Sequence, residues 1–314
     1  SHLAQGRVGG GQRVCAAMAD AEEAGASPMK ATLPSVPCSR MPKKQARILA
    51  AGDAALVQGV EPHERTRVLL EAMIRRKEER CGRSRCPRCW FPVNSSGTSY
   101  CVCPRMPSLT FRTRSRFLVY MHPRDWYNAG DDAKILLNAA PDSTDVFVFG
   151  RPGDSERLQR AIAGSDAALL LFPDEAALTT DEFIEQHRGR VQSGLPRGDA
   201  VSVAAGAPHC DGSELSIIVI DGTWNNVKQL LKHFVREVGP GVPHVRLKPT
   251  TLSVYARTQT RADGVSSVEA IALLLQELGE SEQVCSELVR YIEINNEALR
   301  LQPPPDRDVD GGEL

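Results

Sequence analysis

The chain lacks the long apolar runs that a membrane crossing requires. Nowhere in its 314 residues does a stretch approach the roughly 18 uninterrupted apolar positions of a spanning helix, so no membrane span is expected. Near its start it has neither a long apolar core nor an Arg-rich face free of acids. Secretion is therefore not expected, and no organelle presequence can be argued. An intracellular protein follows, with cytosol and nucleus equally open. Ser1-His2 reads as an expression remnant and is set aside. No internal repeat is visible, which removes solenoid architectures. Nine cysteines, an odd number, argue against a complete disulfide framework. What remains, 41% hydrophobic and 25% charged residues, is ordinary for a globular protein with one large domain, a small module and tails.

Net charge is nearly absent as well, at −1, but that balance hides an asymmetry. Between Arg75 and Arg116 stand eleven Lys/Arg and two acids, a local charge of +9, which leaves −10 for the rest. A basic block on an acidic body suits a polyanionic partner docking on one region. The alternative is a solvated surface with chance clustering.

Residues 1–42 are rich in Gly, Ala, Ser and Pro without apolar periodicity and are expected to be disordered. A helical segment is expected over 43–80, broken near Gly59–Pro62. A cysteine module follows over 81–110, then an α/β domain over 111–300 and a loose tail over 301–314. Within that domain the runs 117–120, 146–149, 168–172 and 217–220 are apolar without alternation, as in strands buried on both faces of a mainly parallel sheet. Helix candidates lie near 125–139, 154–163, 174–187 and 224–236, the alternation of an α/β fold. Residues 188–213 read as an irregular insertion. Ser266 and Glu269 form an S-x-x-E capping box that opens a helix to about 280, and a last helix covers 282–300.

Cys86-x-x-Cys89, eleven residues, then Cys101-x-Cys103 is a structural zinc pattern. Two close pairs of thiolates can close a tetrahedron around one ion with no open position for catalysis. Neighbouring arginines favour the thiolate form. Cys81 either substitutes for one ligand or stands apart.

Asp221-Gly222-Thr223-Trp224 follows the strongest buried strand and opens a helix. Ligands of open α/β sheets bind beyond the carboxyl ends of strands, where this tetrapeptide belongs. A carboxylate there can act as a base, Gly222 permits close backbone approach, and Trp224 offers a stacking face. The bland alternative is a turn with Thr223 as helix N-cap and Trp224 in the core.

The cysteine pairs, Met121-His122-Pro123, Leu171-Phe172-Pro173-Asp174-Glu175-Ala176, Asp221-Gly222-Thr223-Trp224, and Tyr255-Ala256-Arg257 with Ser266-Ser267-Val268-Glu269-Ala270 occur in one order. That succession, over about residues 81 to 280, resembles the DTW-domain family, named for its Asp-x-Thr-Trp motif. The resemblance implies a SPOUT-like α/β fold with a C-terminal trefoil knot that binds S-adenosylmethionine. It also implies transfer of the 3-amino-3-carboxypropyl group of that co-substrate to N3 of a tRNA uridine, releasing methylthioadenosine.

Carried onto this chain, Asp221 becomes the candidate general base for the N3 proton, or else a structural carboxylate. Leu171, Phe172, Pro173, Gly222, Thr223 and Trp224 line the co-substrate site, Trp224 stacking on base or adenine or else packing in the core. Arg257 would pair with the co-substrate carboxylate, or form a surface ion pair. Ser266, Ser267 and Glu269 stand at a helix N-terminus suited to the same carboxylate, with Ser266 capping its own helix as the alternative. His122 is more readily a packing residue than an acid. Arg83, Arg85, Arg112, Arg114 and Arg116 would contact tRNA, and a monomer is compatible with the sequence. The alternatives are a SPOUT-type RNA methyltransferase and a non-catalytic zinc-containing RNA-binding protein.

Overall fold

The computed structural model describes residues 54–93, 100–107, 113, 115–187, 215–247, 253 and 265–301. The chain divides into residues 1–42, outside the described set, and one unit over 43–314. The expectations for the N-terminal tail, the 188–213 insertion and the tail from 302 onward also lie outside the described residues.

A helix α1 (Arg65–Ser84) precedes the cysteine segment and a short 3-10 turn at Cys103–Arg105. The domain then runs β1 (Ser115–Met121), α2 (Leu136–Ala139), β2 (Thr144–Val148), α3 (Asp154–Ala163) and β3 (Ala167–Leu171). It continues through α4 (Thr180–Gln186), β4 (Leu215–Asp221), α5 (Trp224–His233), β5 (His244–Val245), α6 (Ser267–Glu277) and α7 (Glu282–Leu301). The five strands form one sheet in the order β2-β1-β4-β3-β5, and every pairing is parallel. None of the described helices is long and apolar enough to cross a membrane.

The unbroken apolar strands behave as their composition predicts. All seven residues of β4 are buried, and side chains alternate between two cores. Phe117, Val119, Ile217 and Val219 pack with Ile271 of α6 and Ile292 of α7 on one face. Leu118, Tyr120, Ile218 and Ile220 pack with Leu158 of α3 and Leu230 of α5 on the other. A sheet dry on both sides needs helices on both sides, and the chain supplies them.

Two expected helices are shorter than expected. In place of a helix over 125–139 the chain makes successive turns, a 3-10 turn at Ala133–Ile135 and the four-residue α2. Asn128 Oδ1 accepts the Gly130 N–H at 2.9 Å and Tyr127 adopts φ 59°. Such local side-chain bonds offer the backbone an alternative to the helix. The 174–187 candidate begins only at Thr180, because Asp174 Oδ1 takes the Ala176 N–H (3.1 Å) and a capping box of Thr179 and Glu182 fixes the true start. The capping box of Ser266 and Glu269 opens α6 as read from sequence. Strand β5, two residues long, gave no sequence signal.

Gly150, in the turn after β2, shows why α1 sits where it does. Its φ is +81°, and a Cβ there would lie 2.8 Å from Leu70 Cβ of α1. Gly150→Ala combines left-handed strain, about 1–2 kcal/mol, with a backbone-level clash. The expected outcome is a loss of at least ~1 kcal/mol of stability, read by chemical denaturation, and a stability equal to wild type would refute this account of the contact.

Candidate functional site

Among the described residues two chemically distinct centres are present: a cluster of thiols and a set of buried carboxyl groups. The thiol cluster is built by a tight loop after α1. The Cys86 N–H donates to Phe91 O and the Trp90 N–H to Cys86 O, both at 2.9 Å, so the chain reverses within five residues. Trp90 takes φ 58° at that reversal. This strained conformation persists because the indole is 1% exposed and its N–H donates to Pro87 O at 3.2 Å.

The Sγ atoms of Cys86, Cys89, Cys101 and Cys103 all lie within 4.8 Å of one another. Cys86–Cys103 and Cys89–Cys101 are each 3.6 Å apart. Zinc–sulfur bonds of about 2.3 Å in a tetrahedron place sulfurs about 3.8 Å apart, so the geometry fits an ion such as zinc. The charges point the same way. The hydrogen bond from Cys103 pulls the Cys89 thiol down to about 4. Burial holds Cys101 up to about 11, and the bond to Cys89 pushes Cys103 far upward. An ionised Cys89 thus keeps Cys101 and Cys103 protonated, a repulsion that a bound cation would relieve.

Asn138 supplies a further test. Its Oδ1 accepts from Cys103 Sγ at 3.3 Å while its buried Nδ2 has no partner among the described residues. Turning that amide over places an N–H on the sulfur, the contact a metal-bound thiolate asks for. Cys81 lies buried in α1, outside the four. The segment is clamped to the C-terminal helix: Arg105 pairs with Glu297, and the Tyr291 hydroxyl donates to Pro107 O at 2.6 Å.

The second centre forms where β1 and β4 end side by side, with Met121 opposite Asp221. Asp221 is 4% exposed, and its Oδ1 accepts the Ser267 hydroxyl at 2.6 Å. Its Oδ2 is buried and has no hydrogen-bond partner among the described residues. Asp131, 3% exposed, has an equally orphaned Oδ1. Burial and then the charge of Asp221 hold the Asp131 carboxyl well above the carboxylate range. Two buried carboxyls so near each other repel when both are ionised, and Asp131 is the one held toward its protonated form. Asp132 is raised to about 7 by burial and then by Asp221, and its Oδ2 accepts the Val268 N–H of α6 at 2.9 Å. Lys134, 1% exposed, is lowered to about 7 by burial, against the opposing pull of Asp131. It donates to Ala129 O and stands 4.3 Å over the Phe91 ring, between the carboxyls and the cysteine loop.

Sequence reasoning missed Asp125, Asp131, Asp132, Lys134 and Asn138. The only signal was the charge run Asp131-Asp132-Ala133-Lys134 itself, which reads as a solvated helix face. Gly222 is required, but by the protein: at φ +147° a Cβ would lie 2.8 Å from Asp125 Oδ2, which also accepts from Asn226 at 3.0 Å. Thr223 occupies the N-cap of α5 without a side-chain cap bond. Trp224 is 39% exposed, so the core alternative falls.

Leu171 and Phe172 are half-buried and Pro173 is exposed at the end of β3. At α6, Glu269 Oε2 accepts from the Ser266 N–H (2.7 Å) and the Ser253 hydroxyl (2.5 Å). The Glu269 and Val268 N–H groups go to Ser266 and Asp132. His122 is buried and held down to about 4, by desolvation and then by Arg124 and Lys77, and its Nδ1 accepts the Arg124 N–H at 3.1 Å.

The basic block is partly spent inside the protein. Lys77 donates to Arg124 O and Trp126 O at 2.5 and 2.6 Å, Arg85 to Trp90 O, and Arg116 to Asp145 at 2.6 Å. Arg112, Arg114 and Arg257, and the side chain of Arg83, lie outside the described residues.

Residues 83–299 match the family model described as the DTW domain. No curated protein and no solved structure matches the chain.

The thiol centre yields a direct expectation. Native protein washed with a weak chelator should retain about one zinc-like ion per chain. Cys89→Ser should lose the ion and lower the melting temperature, because a broken tetrahedral site loses much of its folding energy. Cys81→Ser should leave metal content unchanged. Metal-free wild type with the same melting curve would exclude a structural ion.

Proposed function

This chain belongs to the DTW-domain family, which is consistent with a tRNA-modifying function, and we propose that it transfers the 3-amino-3-carboxypropyl group of S-adenosylmethionine to N3 of a tRNA uridine. The observation that carries the reading is Asp221. It ends the buried strand β4 beside Gly222-Thr223-Trp224, fixed on one oxygen by Ser267 and with the other oxygen unengaged except toward Asp131. On this reading Asp221 takes the N3 proton as the nitrogen attacks the γ-carbon of the methionine moiety. The carbon–sulfur bond breaks, its electrons stay on sulfur, and methylthioadenosine leaves as a neutral thioether. Asp131, held well above the carboxylate range, keeps its proton, which lowers the repulsion within the carboxyl set that would face the cationic sulfonium.

The same reading makes the parallel sheet SPOUT-like, with the trefoil knot formed C-terminal to β4. Leu171, Phe172, Pro173 and Thr223 would line the S-adenosylmethionine site, with Trp224 at its rim facing the base, Arg257 would pair with its carboxylate, and Ser266, Ser267 and Glu269 would set its floor through α6. The cysteine cluster would hold zinc as a structural ion, and Arg83, Arg85, Arg112, Arg114 and Arg116 would contact tRNA. Orientation toward the γ-carbon rather than the methyl group decides the product.

Incubation with tRNA and S-adenosylmethionine followed by nucleoside mass analysis tests the reaction. A gain of one aminocarboxypropyl group is expected. A gain of one methyl group would reassign the protein to RNA methylation, and no product with tRNA still bound would leave a zinc-containing binder. Asp221→Asn should melt near wild type, bind the co-substrate and lose about a hundredfold or more in rate. Lowered stability with turnover retained would make Asp221 structural.

A further inference from the structure

Helix α5 carries a feature that the acid chemistry does not use. Its inward side chains Val227 and Leu230, and Phe234 in the π-helical turn Phe234–Val238 that continues it, are buried against β1 and β4. Its outward ridge is Trp224, Lys228, Lys232 and Arg236, spaced four residues apart and all exposed. From Gly222 to Arg236 the chain contains no Asp or Glu. Charged neighbours include Glu237, exposed just past the ridge, Asp125, whose Oδ2 accepts from Asn226 of α5 at 3.0 Å, and His233, which burial holds below its ordinary value. The ridge starts one turn from Asp221 and leads away from it.

We propose that this ridge is a track for one RNA strand, with Trp224 as the stacking platform beside the reacting base and the three cations on successive backbone positions. The inference rests on the tRNA-modifying reading and names the surface on which that substrate lies. Four residues of α-helix rise about 6 Å, a step of one to two nucleotides given about 3.4 Å per nucleotide of one strand. An aromatic face at the head of a row of cations is the arrangement by which proteins hold unpaired strands, since every base has a face to stack and every linkage a charge. A merely solvating face needs neither the absence of acids nor the placement of an indole 39% exposed at its site end. Such a track fits a base presented from an unpaired loop rather than one within a stem.

The ridge also has an internal reporter. Of the three tryptophans, Trp90 and Trp126 are 1% and 7% exposed, so quenching of emission by added RNA reports chiefly on Trp224. The probes are a labelled unmodified tRNA transcript and a short oligouridylate, titrated into the full chain over a range of salt. Wild type should bind both with emission quenched, and Trp224→Phe should lose most of the quench while keeping most of the affinity. Lys228→Glu/Lys232→Glu/Arg236→Glu should weaken binding about tenfold or more. Its log–log salt slope should flatten by about 2, the share of three phosphates at ~0.7 each. Arg290→Glu/Arg300→Glu on α7, across the sheet, supplies two of the three charge reversals away from the ridge and should change binding far less.

Circular dichroism melting checks that each variant is folded, and the milder Lys228→Gln/Lys232→Gln/Arg236→Gln serves if the reversal unfolds the helix. Unchanged affinity and slope in a folded ridge variant, with wild type binding tRNA, overturns the track and leaves the tRNA reading standing. Wild type that binds neither RNA overturns both. Loss of binding to phosphatidylserine vesicles with RNA binding intact would assign the ridge to a lipid surface and equally overturn the proposal.

Discussion

The burial of β4 on both faces is the constraint on which the rest hangs. Ile217, Ile218, Val219 and Ile220 leave no side of the strand for water, so β1 and β3 must pair with it and helices must cover it above and below. A strand with no wet face is held in register along its whole length, because a one-residue slip would exchange the contents of two packed cores. Asp221 is therefore delivered to one fixed place, opposite Met121, at the margin where apolar burial ends.

That margin is where the electrostatics become costly. Asp131, Asp132 and Asp221 are each less than a tenth exposed, and several like charges cannot coexist there. The protein answers in three ways: a proton on Asp131, a helix N–H of α6 on Asp132, and the buried amine of Lys134 nearby. The result is a carboxyl set with defined hydrogen bonds rather than a diffuse acidic patch, positioned before any ligand arrives.

The legible parts of the sequence were those in which local pattern and tertiary environment agree. Four unbroken apolar runs, the Ser266/Glu269 capping box and the paired cysteine spacing each carry their own geometry. The carboxyl set was illegible because Asp132 finds its partner, the Val268 N–H, 136 positions away, and nothing near it in sequence hints that it turns inward. Trp224 stood between core and surface until the phase of α5 was fixed by Val227 and Leu230. The +9 block overstated the available charge, since Lys77 and Arg116 are committed to carbonyls and to Asp145. A count of cations cannot see such commitments.

The clamp between the cysteine segment and α7 has a consequence in time. Tyr291 reaches Pro107 across 184 positions and Arg105 reaches Glu297 across 192. Contacts of such span form late, after loop closure has been overcome, and chains are synthesised from the N-terminal end. The four thiols thus emerge long before the helix that covers them. An ion captured early would hold their loop in shape through that interval. A chain deprived of metal would instead carry reactive sulfur, exposed and unanchored, until α7 is made.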